Sequence, residues 1–293
     1  MGSSYRVSHL LGRGGMGEVW AAVGPHGPVA IKVLLERVAR RKEVRLRFER
    51  EAITVSRVSS RYVCKLLDRG FTNDGSMFLV FELLDGESLA ERLTREAFLA
   101  FDELAPLMTD VLQGIADAHS AGVLHRDLKP GNIFIVPDGP REIAKILDFG
   151  MSKIIKDTHA GDEPSLTAFN GTVGTFAHMA PEQVRGAARV DERADIYGMA
   201  SVAFRALAGR LPFEGTSSHI VATQKVQNPA PTLEEATGLR WPRLLEEFFA
   251  IGLARSPVGR FTSAEEASAH WNNAFRVSLD VRKATCAIAR PPR

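Results

Sequence analysis

Cysteine is nearly absent from this chain, with 2 in 293 residues, Cys64 and Cys286. Two thiols cannot build a disulfide framework or a cysteine-based zinc site, and their scarcity suits a reducing cytosol. Long apolar runs are missing too, and none approaches the roughly 18–20 residues needed to span a bilayer. Excess charge of either sign is lacking. The 37 Lys and Arg against 35 Asp and Glu leave +2, which gives no bulk attraction to nucleic acid or to an anionic membrane. Met1 to Ser4 have no apolar core of the secretory kind, and Arg6 stands where a myristoylation sequence wants Ser or Thr. The expectation is a cytoplasmic protein with no membrane segment and no nucleic-acid partner, or the cytosolic domain of a larger, membrane-anchored one.

What is present is ordinary globular material, 45% hydrophobic and 25% charged. The length suffices for one large domain or two packed lobes with real cores. The most unusual stretch is His125-Arg126-Asp127-Leu128-Lys129-Pro130-Gly131-Asn132. A Pro-Gly pair cannot sit inside a helix, so this is a loop. A periodic helix precedes it and the apolar run Ile133–Val136 follows as a strand. A polar loop held between two regular elements can fix side chains for chemistry.

Upstream, Tyr5–Leu11, Glu18–Val23 and Val29–Leu34 read as strands, and Gly12-Arg13-Gly14-Gly15-Met16-Gly17 joins the first two. Such a loop lets backbone amides approach phosphate oxygens, but here it runs from strand to strand. A dinucleotide fingerprint or a P-loop would run from strand into helix. Arg40–Ser59 is predicted as a charged helix, with Val44, Phe48, Ala52 and Val55 at helical spacing. Tyr62–Leu67 and Met77–Leu83 are predicted as further strands, joined through Asn73-Asp74-Gly75. Helices dominate from Leu84 on, at 102–121, 194–208, 242–253 and 263–274, and the tail after Asp280 lacks a period and reads as a basic linker. Residues 151–173 are polar and poorly periodic, and are predicted as a long functional loop.

Taken in order, these motifs resemble the eukaryotic-like (Hanks-type) serine/threonine protein kinases, with Gly12–Trp20 closest to the bacterial branch. Gly12/Gly14/Gly17, Val29-Ala30-Ile31-Lys32, a helical glutamate, His125-Arg126-Asp127 to Asn132, Asp148-Phe149-Gly150 and Ala180-Pro181-Glu182 all occur in that sequence. The resemblance covers roughly residues 5–278. It implies an α+β, two-lobed kinase fold, with a small antiparallel-sheet N-lobe carrying one main helix (1–83) and a larger, mostly helical C-lobe (84–278). The hinge would lie near 82–86, the activation segment at 148–182, and a basic tail at 279–293.

The resemblance also implies roles. Lys32 would contact the α- and β-phosphates of ATP, paired with Glu51; Glu49 and Glu43 are the competing acids on that helix. Asn132 and Asp148 would hold Mg²⁺, with Mn²⁺ as a substitute. Asp127 would accept or orient the substrate hydroxyl. Lys129 would meet the γ-phosphate and marks Ser/Thr specificity, with Thr175 in support. Gly12, Gly14 and Gly17 would cover the phosphates. Val19, Ala30 and Phe134 would sandwich adenine, Glu82 and Leu84 would supply hinge backbone groups, and Phe81 would stand behind the base. Ser88 or Glu87 would meet the ribose. His125, Phe149, Val55 and Leu66 would stack as one column across the lobes. Glu182 would pair with Arg260, and Asp195 would clamp the catalytic loop. Arg126 beside Asp127 implies control by phosphorylation of Thr167 or Thr172, with Ser165 and Thr158 behind them, in trans through a transient homodimer. The expected substrates are proteins with Ser or Thr. His178, Ser60-Arg61-Tyr62 and Gly198 depart from the family pattern. A nucleotide-binding pseudokinase scaffold is the alternative; it would normally have lost a residue of the Lys32, Asp127, Asn132 or Asp148 type. A small-molecule phosphotransferase fits less well with the Gly-Thr-Phe and Ala-Pro-Glu segments.

Overall fold

The structure is a computed structural model that describes residues 5–14, 17–34, 42–149, 176–187 and 190–288. Of 42–45, 47, 51 and 280–288 it describes the backbone alone.

Strands β1 (Arg6–Gly14), β2 (Gly17–Gly24), β3 (Gly27–Leu34), β4 (Leu66–Phe71) and β5 (Met77–Glu82) form one antiparallel sheet in the order β1-β2-β3-β5-β4. Helix α1 (Lys42–Val55) supplies Phe48 and Ala52 to a core that also contains Leu34, Met77 and Leu79. Alternation along β3 sends Val29 and Ile31 to a second cluster with Ala22 and Val80. The hairpin between β4 and β5 closes as its Asn-Asp-Gly sequence predicts. Thr72 donates to Ser76, and Asp74 accepts from Thr72 and from the Ser76 backbone.

One strand lies elsewhere than predicted. The sequence places it at 62–67, but it begins at Leu66. Tyr62 and Cys64 instead exchange backbone hydrogen bonds with Ile146 of the second lobe, at 2.8 and 2.9 Å. Arg61 adds a 2.7 Å ion pair to Asp138. The unusual Ser60-Arg61-Tyr62 turn is therefore a strap between lobes.

The second lobe begins with β6 (Glu87–Ser88), α2 (Leu89–Glu96) and α3 (Phe101–Ser120). A 3₁₀ turn (Pro130–Asn132), β7 (Ile133–Asp138) and β8 (Arg141–Ile146) follow, and β6, β7 and β8 pair in that order. Gly86, at φ 149°, lets the chain after the first lobe pass under β7: a Cβ there would fall 2.0 Å from the Ile135 carbonyl oxygen. Then come α4 (Pro181–Val184), α5 (Arg193–Ala208), α6 (Ser218–Gln227), α7 (Leu233–Thr237), α8 (Arg243–Gly252) and α9 (Ala264–Ile288). Helix α5 is the axis of the lobe, buried almost all round, as its near-continuous apolar sequence requires. Trp271 of α9 packs edge-on against Phe101 and Phe248, and its indole N–H donates to the Ala105 carbonyl.

Helix α9 also differs from expectation. The tail from 279 is helical as far as Ile288. Residues 281–288 have no amphipathic period, yet they contain Arg, Lys and Ala and no proline, and the first breaker is Pro291.

Candidate active site

The cleft between the lobes is built outward from the loop at 125–132. Arg126 and Asp148 have φ of 64° and 59°, a left-handed conformation that non-glycine residues rarely adopt. The surrounding contacts enforce it. The buried Asp195 carboxylate, at the start of α5, accepts the backbone N–H of His125 (2.8 Å) and of Arg126 (2.6 Å), and it pairs with His119 Nε2 at 2.8 Å. Burial pushes the Asp195 carboxyl up in pKa, but the His119 hydrogen bond and the nearby positive groups outweigh it and hold the group below its ordinary range. Gln183 of α4 donates to the Arg126 carbonyl at 2.8 Å. His125 hydrogen-bonds the Leu147 carbonyl through Nε2 at 2.8 Å and accepts the Asp127 N–H at Nδ1, which fixes its tautomer with the proton on Nε2. Its ring meets Phe149 edge-on at 4.8 Å, and Phe149, Val55 and Leu66 share one core cluster. Gly198 of α5 faces this loop: a Cβ there would lie 3.2 Å from Leu128 Cβ.

On this frame several of the residues expected to act converge. Lys129 Nζ lies 2.7 Å from Asp127 Oδ2. Asn132 donates its amide to the Asp127 carbonyl at 2.9 Å, which leaves its carboxamide oxygen as an acceptor. The Leu147 N–H donates to the Asn132 carbonyl at 2.8 Å, which brings Asn132 beside Asp148. From the opposite lobe, Lys32 on β3 reaches Asp148 Oδ2 at 2.7 Å, with side-chain exposures of 7% and 29%. Lysine in such a place needs a counter-charge. The side chain of Glu51, predicted to supply one, lies outside the described residues, as do Gly150, Thr158, Ser165, Thr167, Thr172 and Thr175.

An amide oxygen and one carboxylate, with few other protein donors, suit a hard cation that keeps its water. Among the described residues no cluster of three or more His, Cys, Asp or Glu forms a closed metal cage. The described glycines of the loop expected over the phosphates differ in what requires them. Gly17 is demanded by packing, because a Cβ would fall 2.0 Å from the Val33 oxygen. Gly12 and Gly14 meet nothing within 4 Å among the described residues, so no described atom requires their lack of a side chain. Val19 is paired with Lys32, and Ala30 with Phe81, across adjacent strands. At the expected hinge, the Leu84 backbone N–H and C=O have no partner among the described residues, although Leu84 is half-buried. Glu82 differs: its carboxylate accepts from Lys145 (2.7 Å) and from the Lys65 N–H (2.9 Å), and its carbonyl lies 3.8 Å from the Cys64 thiol.

The residues expected at the ribose have partners within the fold. Ser88 caps α2 in a reciprocal capping box with Glu91. Glu87 is gripped by Arg95 and Arg92, which pull its pKa down to about 2. Arg92 also forks onto Glu142 at 2.6 and 2.7 Å, tying α2 to β8. At the end of the segment leading into α4, Arg260 donates to both Glu182 oxygens at 2.7 and 2.8 Å, over the ring of Tyr197.

Several supporting residues carry no sequence signal. His119, Gln183 and the buried Lys225, which donates to the Met179 carbonyl at 2.8 Å, sit in ordinary helical contexts. Only the tertiary fold gives them partners. His178, in place of an aromatic, is buried and bonded to Ser201 Oγ at 3.0 Å.

The protein kinase domain model matches residues 5–271. Serine/threonine-protein kinase pkn3 of Myxococcus xanthus is 36% identical over 265 residues, covering 89% of this chain and 48% of that protein. PkaB of Streptomyces coelicolor is 35% identical over 273 residues, covering 90% and 62%. PknD of Mycobacterium tuberculosis is 32% identical over 288 residues, covering 98% and 42%. The chain thus spans about half the length of these curated relatives. The crystal structure of the Mycobacterium tuberculosis PknI kinase domain superposes with a TM-score of 0.69 at 27% identity, over 93% of this chain and 96% of that one. Motif order, fold and relatives agree, and the chain belongs to the protein kinase domain family, among its bacterial Hanks-type members.

Proposed function

We propose that this chain transfers the γ-phosphoryl group of ATP to Ser and Thr hydroxyls of proteins, with Mg²⁺ as the metal and Mn²⁺ able to replace it. The observation that carries this is the 2.7 Å pair between Lys32 of one lobe and Asp148 of the other. It sets a buried cation and a metal-type carboxylate face to face in the cleft. A pseudokinase scaffold has no need of that pair together with the Asp127–Lys129 couple.

Phosphoryl transfer asks a protein mainly for position and charge compensation. When bound, the metal supplies charge neutralisation on the phosphates, held by Asp148 and Asn132. Lys32 fixes the α- and β-phosphates under Gly12, Gly14 and Gly17, with Glu51 as its second partner. Asp127 orients the acceptor hydroxyl and takes its proton, and Lys129 steadies the γ-phosphate. Adenine lies between Val19, Ala30 and Phe134, with Leu84 and the Glu82 carbonyl at its edge. Arg126 Nε is buried and has no partner among the described residues. We assign it to a phosphothreonine at 167 or 172, formed in trans between two copies.

The test is incubation with Mg-ATP followed by peptide mass spectrometry, with Asp127→Asn as control. Phosphate within residues 157–172 of the wild type alone is the expected result. An unmodified segment in an otherwise active enzyme would refute the regulatory part.

A further inference from the structure

Beside the catalytic loop lies a hollow of about 280 Å³ that the phosphoryl-transfer groups do not use. Leu93 and Thr94 of α2, Pro130, His178, Arg205 of α5 and Leu211 are among its walls. Its place follows from two of them. Pro130 directly follows Lys129, whose ammonium is 2.7 Å from Asp127. His178 also lines the small crevice bordered by Arg126, Asp127 and Leu128. A chain that presents a hydroxyl to Asp127 therefore carries its neighbouring residues across this hollow.

The charge of the hollow is one-sided. Arg205 is the one ionised group in its described wall, and no Asp or Glu lines it among the described residues. Arg205 is half-buried. Its Nη1 donates to the Ala97 carbonyl at 2.8 Å, which anchors the guanidinium, and no carboxylate pairs with it among the described residues. A guanidinium carries five N–H donors, so most of its fork is left for a ligand. The field around His178 agrees. Burial holds its imidazole neutral, pushed down to about 3, and Lys225, Arg205 and Lys129 each add to that effect. The backbone turn at Ala97, with φ of 61°, is held by the same guanidinium.

We propose that this hollow selects substrates, with Arg205 pairing to an anionic side chain, a carboxylate or a phosphorylated hydroxyl, near the acceptor Ser or Thr. The inference rests on the proposed transfer to protein hydroxyls and adds its specificity.

The experiment uses the 293-residue chain with Mg-ATP and peptides that place Asp, Glu, phosphoserine, Gln or Lys at each position flanking one acceptor Ser or Thr. The readout is the ratio of kcat/KM values. A charge-assisted pair at a half-exposed arginine predicts that anionic peptides are favoured over Gln by about tenfold at one position. Arg205→Gln brings that ratio close to one, and Arg205→Glu turns it toward Lys. Arg243→Glu, which makes the same charge change on exposed α8, keeps the wild-type ratio. Preference for phosphoserine alone identifies a previously phosphorylated substrate, and equal preference for Asp and Glu identifies a carboxylate. An enzyme that phosphorylates peptides with no anionic preference, or an Arg205→Glu variant with an unaltered ratio, overturns the inference alone. A wild type that phosphorylates no protein or peptide overturns the proposed function, and this inference with it.

Discussion

Replacing Asp195 by Asn would test how the catalytic loop is held. The carboxylate serves three donors, with Oδ2 shared by His119 and the His125 N–H, and Oδ1 facing the Arg126 N–H at 2.6 Å. Asparagine has one oxygen and one donor group. If its oxygen takes the shared side, its NH₂ confronts the Arg126 N–H; reversed, it confronts two donors. Either way a buried backbone N–H loses its acceptor, which costs roughly 1–3 kcal/mol, and a charge-assisted bond of similar size is lost. Removing a buried charge offsets part of this. The partners already win over burial in the native protein, because the Asp195 pKa is lowered. The net cost is therefore about 2–4 kcal/mol, a fall in Tm of about 3–7 °C at pH 7.5 for a chain of 293 residues. A lowered native pKa means that the carboxylate's contribution is present above the unfolded value near 3.9 and fades as pH falls toward the native one. The gap between variant and wild type should narrow in acid. Thermal melts at pH 7.5 and at about pH 3, below the unfolded value, with kcat measured at pH 7.5, check both. A variant that melts within about 1 °C of the wild type at pH 7.5 would refute the clamp.

Further outcomes follow from the same geometry. Glu182→Gln leaves Arg260, whose side chain is 0% exposed, without its counter-charge; urea unfolding should show a loss of about 3–5 kcal/mol. Adding Arg260→Met should recover part of that loss, and strict additivity of the two changes would contradict the pair. His178 is neutral when folded, pushed down to about 3, so acid protonates the unfolded chain first and native stability falls with pH below about 6. His178→Phe should flatten that slope by up to about 1.4 kcal/mol per pH unit between pH 6 and 4.5; identical slopes would contradict a buried neutral imidazole.

Much of the fold was legible because local and global preferences agree. The β3 strand, the α5 helix with its closing Gly209 and the Asn73-Asp74-Gly75 hairpin follow from period and turn chemistry. The misplaced strand at 62–67 shows the limit. Its apolar residues suit a strand, but their partner is Ile146, more than 80 residues away, and no local pattern reports that. The tail erred the other way: helix propensity persists to Ile288 where amphipathic period does not. In the site, residues inside motifs could be named from the sequence. Those that act through α-helical contexts, such as Gln183, His119 and Arg205, could not, because their roles arise from distance in space. The hold on Glu87 was not legible either, since its two arginines lie 5 and 8 residues further on.

The most direct test of the central claim is transfer of the labelled γ-phosphate of ATP to a generic protein substrate, followed by phosphoamino-acid analysis. The wild-type chain should yield phosphoserine and phosphothreonine with Mg²⁺, and Lys32→Met and Asp127→Asn should each fall by at least about 10²-fold. Nucleotide binding without transfer, or label found only on tyrosine, would contradict it.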